Sequence, residues 1–267
     1  MTQYVFDNAA EAETEVRFRS LGALFDPTTQ RIIDSLQAVG ARARCLEVGG
    51  GGGSLVRWLS ERVASQGHIL VTDIDPRFLT KALSGLQNVE LLRHDIGTDP
   101  LPTAAFDFVH TRLVLEHVPD WGKGLDNMVN SLRSGGTVLV EDFDLQALDW
   151  TESAGSAVAI ARYSKLAVAR MQIFREHRVH FTIGRQLPAA LLSRGIQGIG
   201  FEPTVTIRKG ASAAGELEKA NLQQLRDEIL TRSLLTPEEF DDAIRVFDDP
   251  SWSRFSPLMV SAWRRKP

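Results

Sequence analysis

An open α/β sheet built from βαβ units is the fold class this sequence predicts, and three observations carry it. Strand-like and helix-like segments alternate through the first 145 residues, the pattern of a parallel sheet crossed by helices. Five consecutive glycines, Gly49 to Gly53 in "CLEVGGGGGSLVRWL", lie between a strand and a helix. An acidic residue closes the next strand, in "VTDIDP". Each glycine costs roughly 0.5–1 kcal/mol relative to alanine inside a regular element. A run of five therefore belongs in a turn that needs positive φ, or where backbone must lie bare against a ligand.

The sheet follows a helical preface. Residues 8–24 and 28–39 show helical spacing (Val16, Phe18, Leu21, Leu24; then Ile32, Ile33, Leu36), and Asp26 and Pro27 of "DPTT" predict a turn and a second helix start between them. "ARCLEVG" reads as a first strand and "SLVRWLSERVAS" as its crossover helix. "GHILVTDID" is the second strand, with "PRFLTKALSGL" the helix behind it, proline near its first turn. "VELLRHDI", "FDFVHTRLVLEHV" and "GGTVLVEDFD" are strands three to five, the fourth running on towards a helix. The rhythm then changes. Residues 152–177 read as one or two helices with no strand between, "RQLPAALLSRGIQ" as another, and "IGFEPTVTIRKG" as a sixth strand. "AGELEKANLQQLRDEILTR" and "TPEEFDDAIRVFDD" read as helices, and "SPLMVSAWRRKP" as a closing strand. The predicted organisation is an N-terminal helical segment over 1–40, a core over 41–145 and 181–267, and a helical cap over 146–180 inserted after the fifth strand.

With 267 residues and 43% apolar content, the chain can bury a full core. Its one cysteine, Cys45, sits in an apolar run, which excludes a disulfide framework and reads as a small buried hydrophobe. A net charge of −4 with interspersed signs offers no footprint for nucleic acid, and the basic "RRKP" end reads as solvated. The acidic start lacks a signal peptide and no apolar run approaches the ~18 residues of a membrane helix. The expectation is a cytoplasmic protein with no membrane or nucleic-acid partner and no metal, for which a homodimer is left open.

A strand, a glycine loop, a helix and an acid at the end of the next strand make a nucleotide-binding unit. The dinucleotide frame G-x-G-x-x-G needs glycine or alanine at its sixth position, where the possible frames put Ser54, Leu55 or Val56. This disfavours the alternative of an NAD(P)-dependent oxidoreductase. The frame G-x-G-x-G fits at Gly49, Gly51 and Gly53, with Glu47 two residues before it.

"LEVGGGGG", "VTDIDP", "RHDIGTDPLP", "FDFVHTRLVLEHVPD" and "LRSGGTVLVED" resemble, in order and spacing, the signature segments of the class I S-adenosylmethionine-dependent methyltransferases. The resemblance implies a Rossmann-like seven-stranded sheet, mostly parallel with an antiparallel last strand, and helices on both faces. It implies that the backbone of Gly49 to Gly53 lies under the methionine part of S-adenosylmethionine, that Asp73 holds the ribose hydroxyls, and that Ile74 packs on the adenine. Asp95 would accept from the adenine amine, the backbone of Ile96 would donate to the ring, and His110 and Thr111 would line the methionine pocket.

Each assignment has a plainer competitor. Asp73 and Asp75 could cap the following helix, and Asp95 could be a turn residue. Glu47, buried by position, needs a partner: either the glycine loop or the cofactor's amino group. In "TRLVLEHVPDW", Arg112, Glu116 and His117 come nearest to a catalytic constellation. His117 is the natural proton acceptor by its ordinary titration range, although a strand-to-helix structural task competes. Asp142 and Glu141 are the reserve bases. Methyl transfer from a sulfonium runs largely on proximity, so a sparse catalytic signature is expected. The motifs of nucleic-acid base, arginine and magnesium-dependent catechol methyltransferases are missing, which leaves a small-molecule acceptor methylated on oxygen, nitrogen or carbon. Trp150, Tyr163, Met171 and Phe174 are candidate lining for its pocket, at a spacing equally suited to plain core. Residues 1–25, with Tyr4, Arg17 and Phe18, could form a lid. A methyltransferase-like protein that binds the cofactor and does other chemistry is the remaining alternative.

Overall fold

A computed structural model describes residues 5–6, 11–149, 151–196 and 198–267. In chain order its elements are α1 (Glu11–Leu36), β1 (Arg44–Val48), α2 (Ser54–Val63), β2 (His68–Asp73), α3 (Arg77–Ala82), β3 (Val89–Arg93) and β4 (Phe106–Arg112). A 3-10 turn (Leu115–His117) leads to α4 (Trp121–Ser131), β5 (Leu132–Asp144), α5 (Ala157–Glu176), α6 (Ile183–Leu192), β6 (Gly200–Thr204) and β7 (Ile207–Lys209). The chain closes with α7 (Ala213–Gln224), α8 (Arg226–Thr231), α9 (Pro237–Ala243), a 3-10 turn (Ile244–Asp248), β8 (Ser253–Phe255) and β9 (Leu258–Arg265).

The chain divides into two compact units. One comprises Phe25–Asp144, His180–Thr204 and Met259–Pro267, and holds a seven-stranded sheet of order β3-β2-β1-β4-β5-β9-β6. The pairs β1 with β2, β2 with β3, β1 with β4 and β4 with β5 are parallel, whereas β9 runs antiparallel to β6. Strand alternation sorts the core into two layers. Leu46, Val48, Val109, Val138 and Val140 face Leu125 and Met128 of α4 and Ile183, Leu187 and Leu191 of α6. Cys45, Val71, Phe108 and Leu139 face Ile32 and Ile33 of α1 and Leu55, Val56 and Leu59 of α2. The sheet thus carries helices on both faces. Burial pushes the Cys45 thiol well up from its ordinary value, which suits a packing residue.

The other unit comprises Met1–Leu24, Leu145–Val179 and Val205–Leu258. Helix α5 packs on α8 and α9, and β7 pairs antiparallel with β8. Tyr163, Phe247 and Trp252 form an aromatic centre, with Tyr163 to Trp252 ring centroids 5.1 Å apart. Beside it, Arg170, Arg208 and Arg254 all converge on the buried carboxylate of Glu218. The segments over 205–258, read from sequence as part of the sheet layer, lie in this unit together with the expected cap.

Two element boundaries differ from expectation. The two predicted N-terminal helices are one, α1, with Pro27 inside it. An interior proline forfeits one helical hydrogen bond, but Arg112 of β4 ties Asp26 and Thr29 on either side of Pro27 and Ile32 and Ile33 are buried, so the tertiary fit outweighs the break. The predicted sixth strand is two. Residues 200–204 form the edge of the large sheet, where Pro203 is tolerated because an edge strand needs only one side of its ladder, and 207–209 leave for the small sheet.

Candidate active site

Ligands of open α/β sheets lie beyond the carboxyl ends of the strands, and three groups of polar residues gather at that edge. The first is the glycine loop. Its entry is fastened to β2, the Gly49 and Gly50 N–H groups both donating to the Thr72 carbonyl, at 2.7 and 3.2 Å. Gly49, Gly51 and Gly53 all hold positive φ, at 74°, 54° and 77°. At Gly49 a side chain is also sterically excluded, because a Cβ would stand 2.2 Å from Val114 Cγ2. Asp73, the last residue of β2, accepts from the Gly51 N–H at 3.1 Å through one oxygen and from the Asp75 N–H at 2.9 Å through the other. Burial raises its pKa against the pull of these bonds. Asp75 accepts from the backbone and guanidinium of Arg77, and so serves the start of α3. Ile74 next to it is 53% exposed, an apolar side chain left in the open just beyond the carboxyl end of β2.

At the end of β3, Asp95 accepts from the Gly97 N–H at 2.9 Å, an Asx-type turn. Ile96 is buried beside Leu115 and Leu125, and Asn127 holds its carbonyl at 2.9 Å.

The second group is a buried chain of ionisable side chains across β1, β4 and β5. His110 Nδ1 lies 2.8 Å from Glu47 Oε2 and its Nε2 lies 3.0 Å from Glu141 Oε2. With a carboxylate at each ring nitrogen, both nitrogens serve as donors and the ring is an imidazolium. Burial opposes the charged form, but Glu47 and Glu141 overrule it and push His110 up to about 9. Burial likewise resists ionisation of Glu141, yet His110, Arg112 and Ser261 hold it below the usual carboxylate range. Glu141 also accepts from the hydroxyls of Thr29 at 2.5 Å and Ser261 at 2.6 Å. Arg112 donates to Thr29 at 2.8 Å and to Asp26 at 2.7 Å. Asp26 and Thr29 reach the same guanidinium because i, i+3 spacing puts them on one face of α1.

The third group surrounds the turn after β4. Leu113 holds a φ of 56°, a region that side-chain-bearing residues rarely adopt. Asp142 accepts from the Glu116 N–H at 3.3 Å, and burial, with the nearby Glu116 charge, raises its pKa well above the ordinary value. His117 Nε2 stands 3.3 Å from Glu116 Oε1. His180 braces this turn, donating its backbone N–H to the Glu116 carbonyl and placing Nε2 2.9 Å from the Val118 carbonyl.

Several residues singled out from sequence are engaged otherwise than expected. His110 and Thr111 are fully buried. The His110 ring is taken up by Glu47 and Glu141, and the Thr111 hydroxyl donates to the Val48 carbonyl at 2.9 Å. Arg112 is committed to α1 rather than standing beside His117. Tyr163 belongs to an aromatic core, and Trp150 and Tyr4 lie outside the described residues. Thr29, Asp26 and Ser261 were missed. Their signal was a small polar residue at a core-facing position, Ser261 on a buried strand and Thr29 on the inward face of a helix.

The donor set suits S-adenosylmethionine: a bare glycine backbone, a carboxylate for ribose hydroxyls, an exposed aliphatic side chain for a base, and Glu47 for an ammonium group. Among the described residues no group of three or more His, Cys, Asp or Glu could hold a metal ion, and no helix is long and apolar enough to cross a membrane.

This sheet order and loop define a class I methyltransferase fold. A family described as the methyltransferase domain matches residues 22–198. The ubiquinone/menaquinone biosynthesis C-methyltransferase UbiE of Vibrio campbellii is 32% identical over 123 residues, 43% of this chain and 48% of that one. The chain therefore spans about half the length of the curated relatives it matches. Among solved structures, Haemonchus contortus phosphoethanolamine N-methyltransferase 2, in complex with phosphomonomethylethanolamine and S-adenosylhomocysteine, superposes with a TM-score of 0.63 at 14% identity, covering 100% of this chain and 61% of that one. A SAM-dependent methyltransferase from Aquifex aeolicus gives 0.50 at 19% identity, covering 71% and 88%. The chain belongs to the methyltransferase domain family.

Proposed function

We propose that the protein transfers the methyl group of S-adenosylmethionine to a small-molecule acceptor. The observation that carries this reading is the loop Gly49–Gly53 with the Asp73 carboxylate turned onto it at Gly51. Bound there, the cofactor supplies a sulfonium methyl group open to in-line displacement. Asp73 receives the ribose hydroxyls and Ile74 covers one face of the adenine. Asp95 and the Ile96 backbone read the adenine edge, and Glu47 faces the cationic amino-acid end. The turn over Leu115–His117, held by Asp142 and His180, borders the acceptor, and proximity does most of the catalytic work. Relatives named as C-methyltransferases of quinone biosynthesis make an electron-rich ring carbon the first acceptor to assay, followed by hydroxyl and amine acceptors.

The test is calorimetry with S-adenosylmethionine and NADH, followed by transfer of labelled methyl to a metabolite panel. Heat with the sulfonium alone and a methylated product are expected. Binding of NADH in its place would overturn the reading.

A further inference from the structure

Glu47 and Glu141 stand on strands separated by β4, and one imidazole joins them. Glu47 directly faces His110 in the β1–β4 register. The Phe108 ring lies parallel to that of His110 at 6.3 Å, which fixes the ring plane. Glu141 accepts through both oxygens, from Thr29 on α1, from His110 on β4 and from Ser261 on β9. Glu47 is tied differently. Its Oε2 meets His110, and Oε1 takes no hydrogen bond among the described residues. The residue is buried, it lies two positions before the glycine loop, and it has one oxygen to spare.

We propose that His110 is a positioning residue for the cofactor. Clamped by Glu141 on one ring nitrogen, it holds Glu47 with the other, so that Glu47 Oε1 is presented beneath the glycine loop to the ammonium of the cofactor's amino-acid end. This deepens the methyltransferase reading and rests on it. The charges facing the clamp are Glu47 from β1, Glu141 from β5, Arg112 from β4 and, behind Arg112, Asp26 from α1. Three carboxylates face two cations, and the cluster is left one positive charge short. A ligand cation at Glu47 supplies it, at a site where unpaired charge is expensive.

The clamp works only while both ring nitrogens carry protons. Once the ring is neutral, one nitrogen becomes an acceptor facing a carboxylate, and the geometry at Glu47 or Glu141 is lost. In the native protein that happens as pH rises through about 9, so the clamp is closed at neutral pH. Glu141→Gln removes one of the two charges that sustain the imidazolium and brings the opening down towards neutrality, at a residue that does not itself touch the cofactor. Because the closed, protonated clamp is the form that binds, cofactor binding at Glu47 must, by reciprocity, raise the pH at which His110 loses its proton.

The experiment pairs nitrogen-15 histidine spectra with calorimetric titration of S-adenosylmethionine, for the native protein, Glu141→Gln, His110→Asn and Glu47→Gln. Thermal melts confirm that each variant is folded at the temperature used. The spectra should show His110 doubly protonated at pH 7.5 in the native protein and losing its proton at lower pH in Glu141→Gln. Cofactor affinity of Glu141→Gln should match the native value at pH 6 and fall by about 10-fold by pH 8, whereas His110→Asn and Glu47→Gln should be weaker by about 10–100-fold at both, the loss of a charged hydrogen bond. A merely structural role would lower stability without moving the His110 titration or creating that pH dependence. A neutral His110 at pH 7.5 in the native protein, or a Glu141→Gln variant whose affinity follows the native curve, overturns the clamp and leaves the methyltransferase reading standing. No binding of S-adenosylmethionine by the native protein overturns both.

Discussion

Arg112, the last residue of β4, donates to Asp26 of α1 across 2.7 Å, and the same guanidinium reaches Thr29 one helical turn on. This strand-to-helix tie holds α1 against the sheet where Pro27 would otherwise end it. Both partners are largely buried, so removing one strands the other. Arg112→Ala should cost about 2–4 kcal/mol, between the values of exposed and fully buried pairs. Urea unfolding measures it. Turnover per folded molecule should change far less than stability; a large loss in turnover at unchanged stability would return Arg112 to the chemistry.

Gly49 offers a second test that needs no ligand. Its φ of 74° costs a residue with a side chain about 1–2 kcal/mol, and the Cβ would collide with Val114. Gly49→Ala should therefore destabilise by more than the φ strain alone. Adding Val114→Ala should recover the steric part and leave the conformational part, which a double-mutant cycle in denaturant resolves. Additive losses in the cycle would show that the two side chains do not meet.

Asp73 links the loop to acid. Its carboxyl is raised by burial, and ribose hydroxyls favour the ionised form, so protonation and cofactor compete. Affinity for S-adenosylmethionine should fall on acidification, beginning above the ordinary aspartate range near ~4. Asp73→Ala should weaken binding by about 1.5–3 kcal/mol at neutral pH and flatten that dependence. Calorimetry between pH 4.5 and 7.5 decides it, and an unchanged constant in the variant would remove Asp73 from the ribose.

Asp142 gives the opposite kind of pH effect, on stability. A carboxyl whose folded pKa is raised contributes stability while protonated and loses it as pH rises from its unfolded pKa through the folded one. Asp142→Asn keeps an acceptor for the Glu116 N–H and removes the charge beside Glu116. Its melting temperature should gain on that of the native protein as pH rises from 5 to 8. A constant difference across that range would mean Asp142 does not titrate there.

The sequence disclosed the parts of this protein that rest on local rules. Alternating periods placed the strands of the parallel half, and the glycine run with Asp73 placed the loop, because each depends on neighbours close in the chain. Pro27 misled for the same reason: local propensity says break, while the burial of Ile32 and Ile33 and the grip of Arg112 say continue. The pairing of His110 with Glu47 and Glu141 was not legible. It joins residues 63 and 31 positions apart, and only the strand order brings them together. His110 looked like a pocket residue because it ends near the ligand edge, yet alternation turns it to the same face as Phe108 and Leu139.

His117 decides whether the proposed methyl transfer uses a base. Its Nε2 stands 3.3 Å from Glu116, within a 3-10 turn whose backbone is tied to β5 through Asp142 and to His180. A residue so fixed is suited to shaping the strand-to-helix corner, and methyl transfer to an acceptor already deprotonated or electron-rich needs no proton removed at the transition state. His117→Ala should then lower turnover by about tenfold or less, with the pH profile of kcat keeping its shape. A base would instead cost ~10²–10⁴ and erase a limb of that profile. His117→Gln adds a further reading, since an amide can hold a hydrogen bond to Glu116 but cannot take a proton. Recovery of most of the rate in the glutamine variant marks a structural residue. A glutamine variant as slow as alanine, with a flattened acid limb, makes His117 the base.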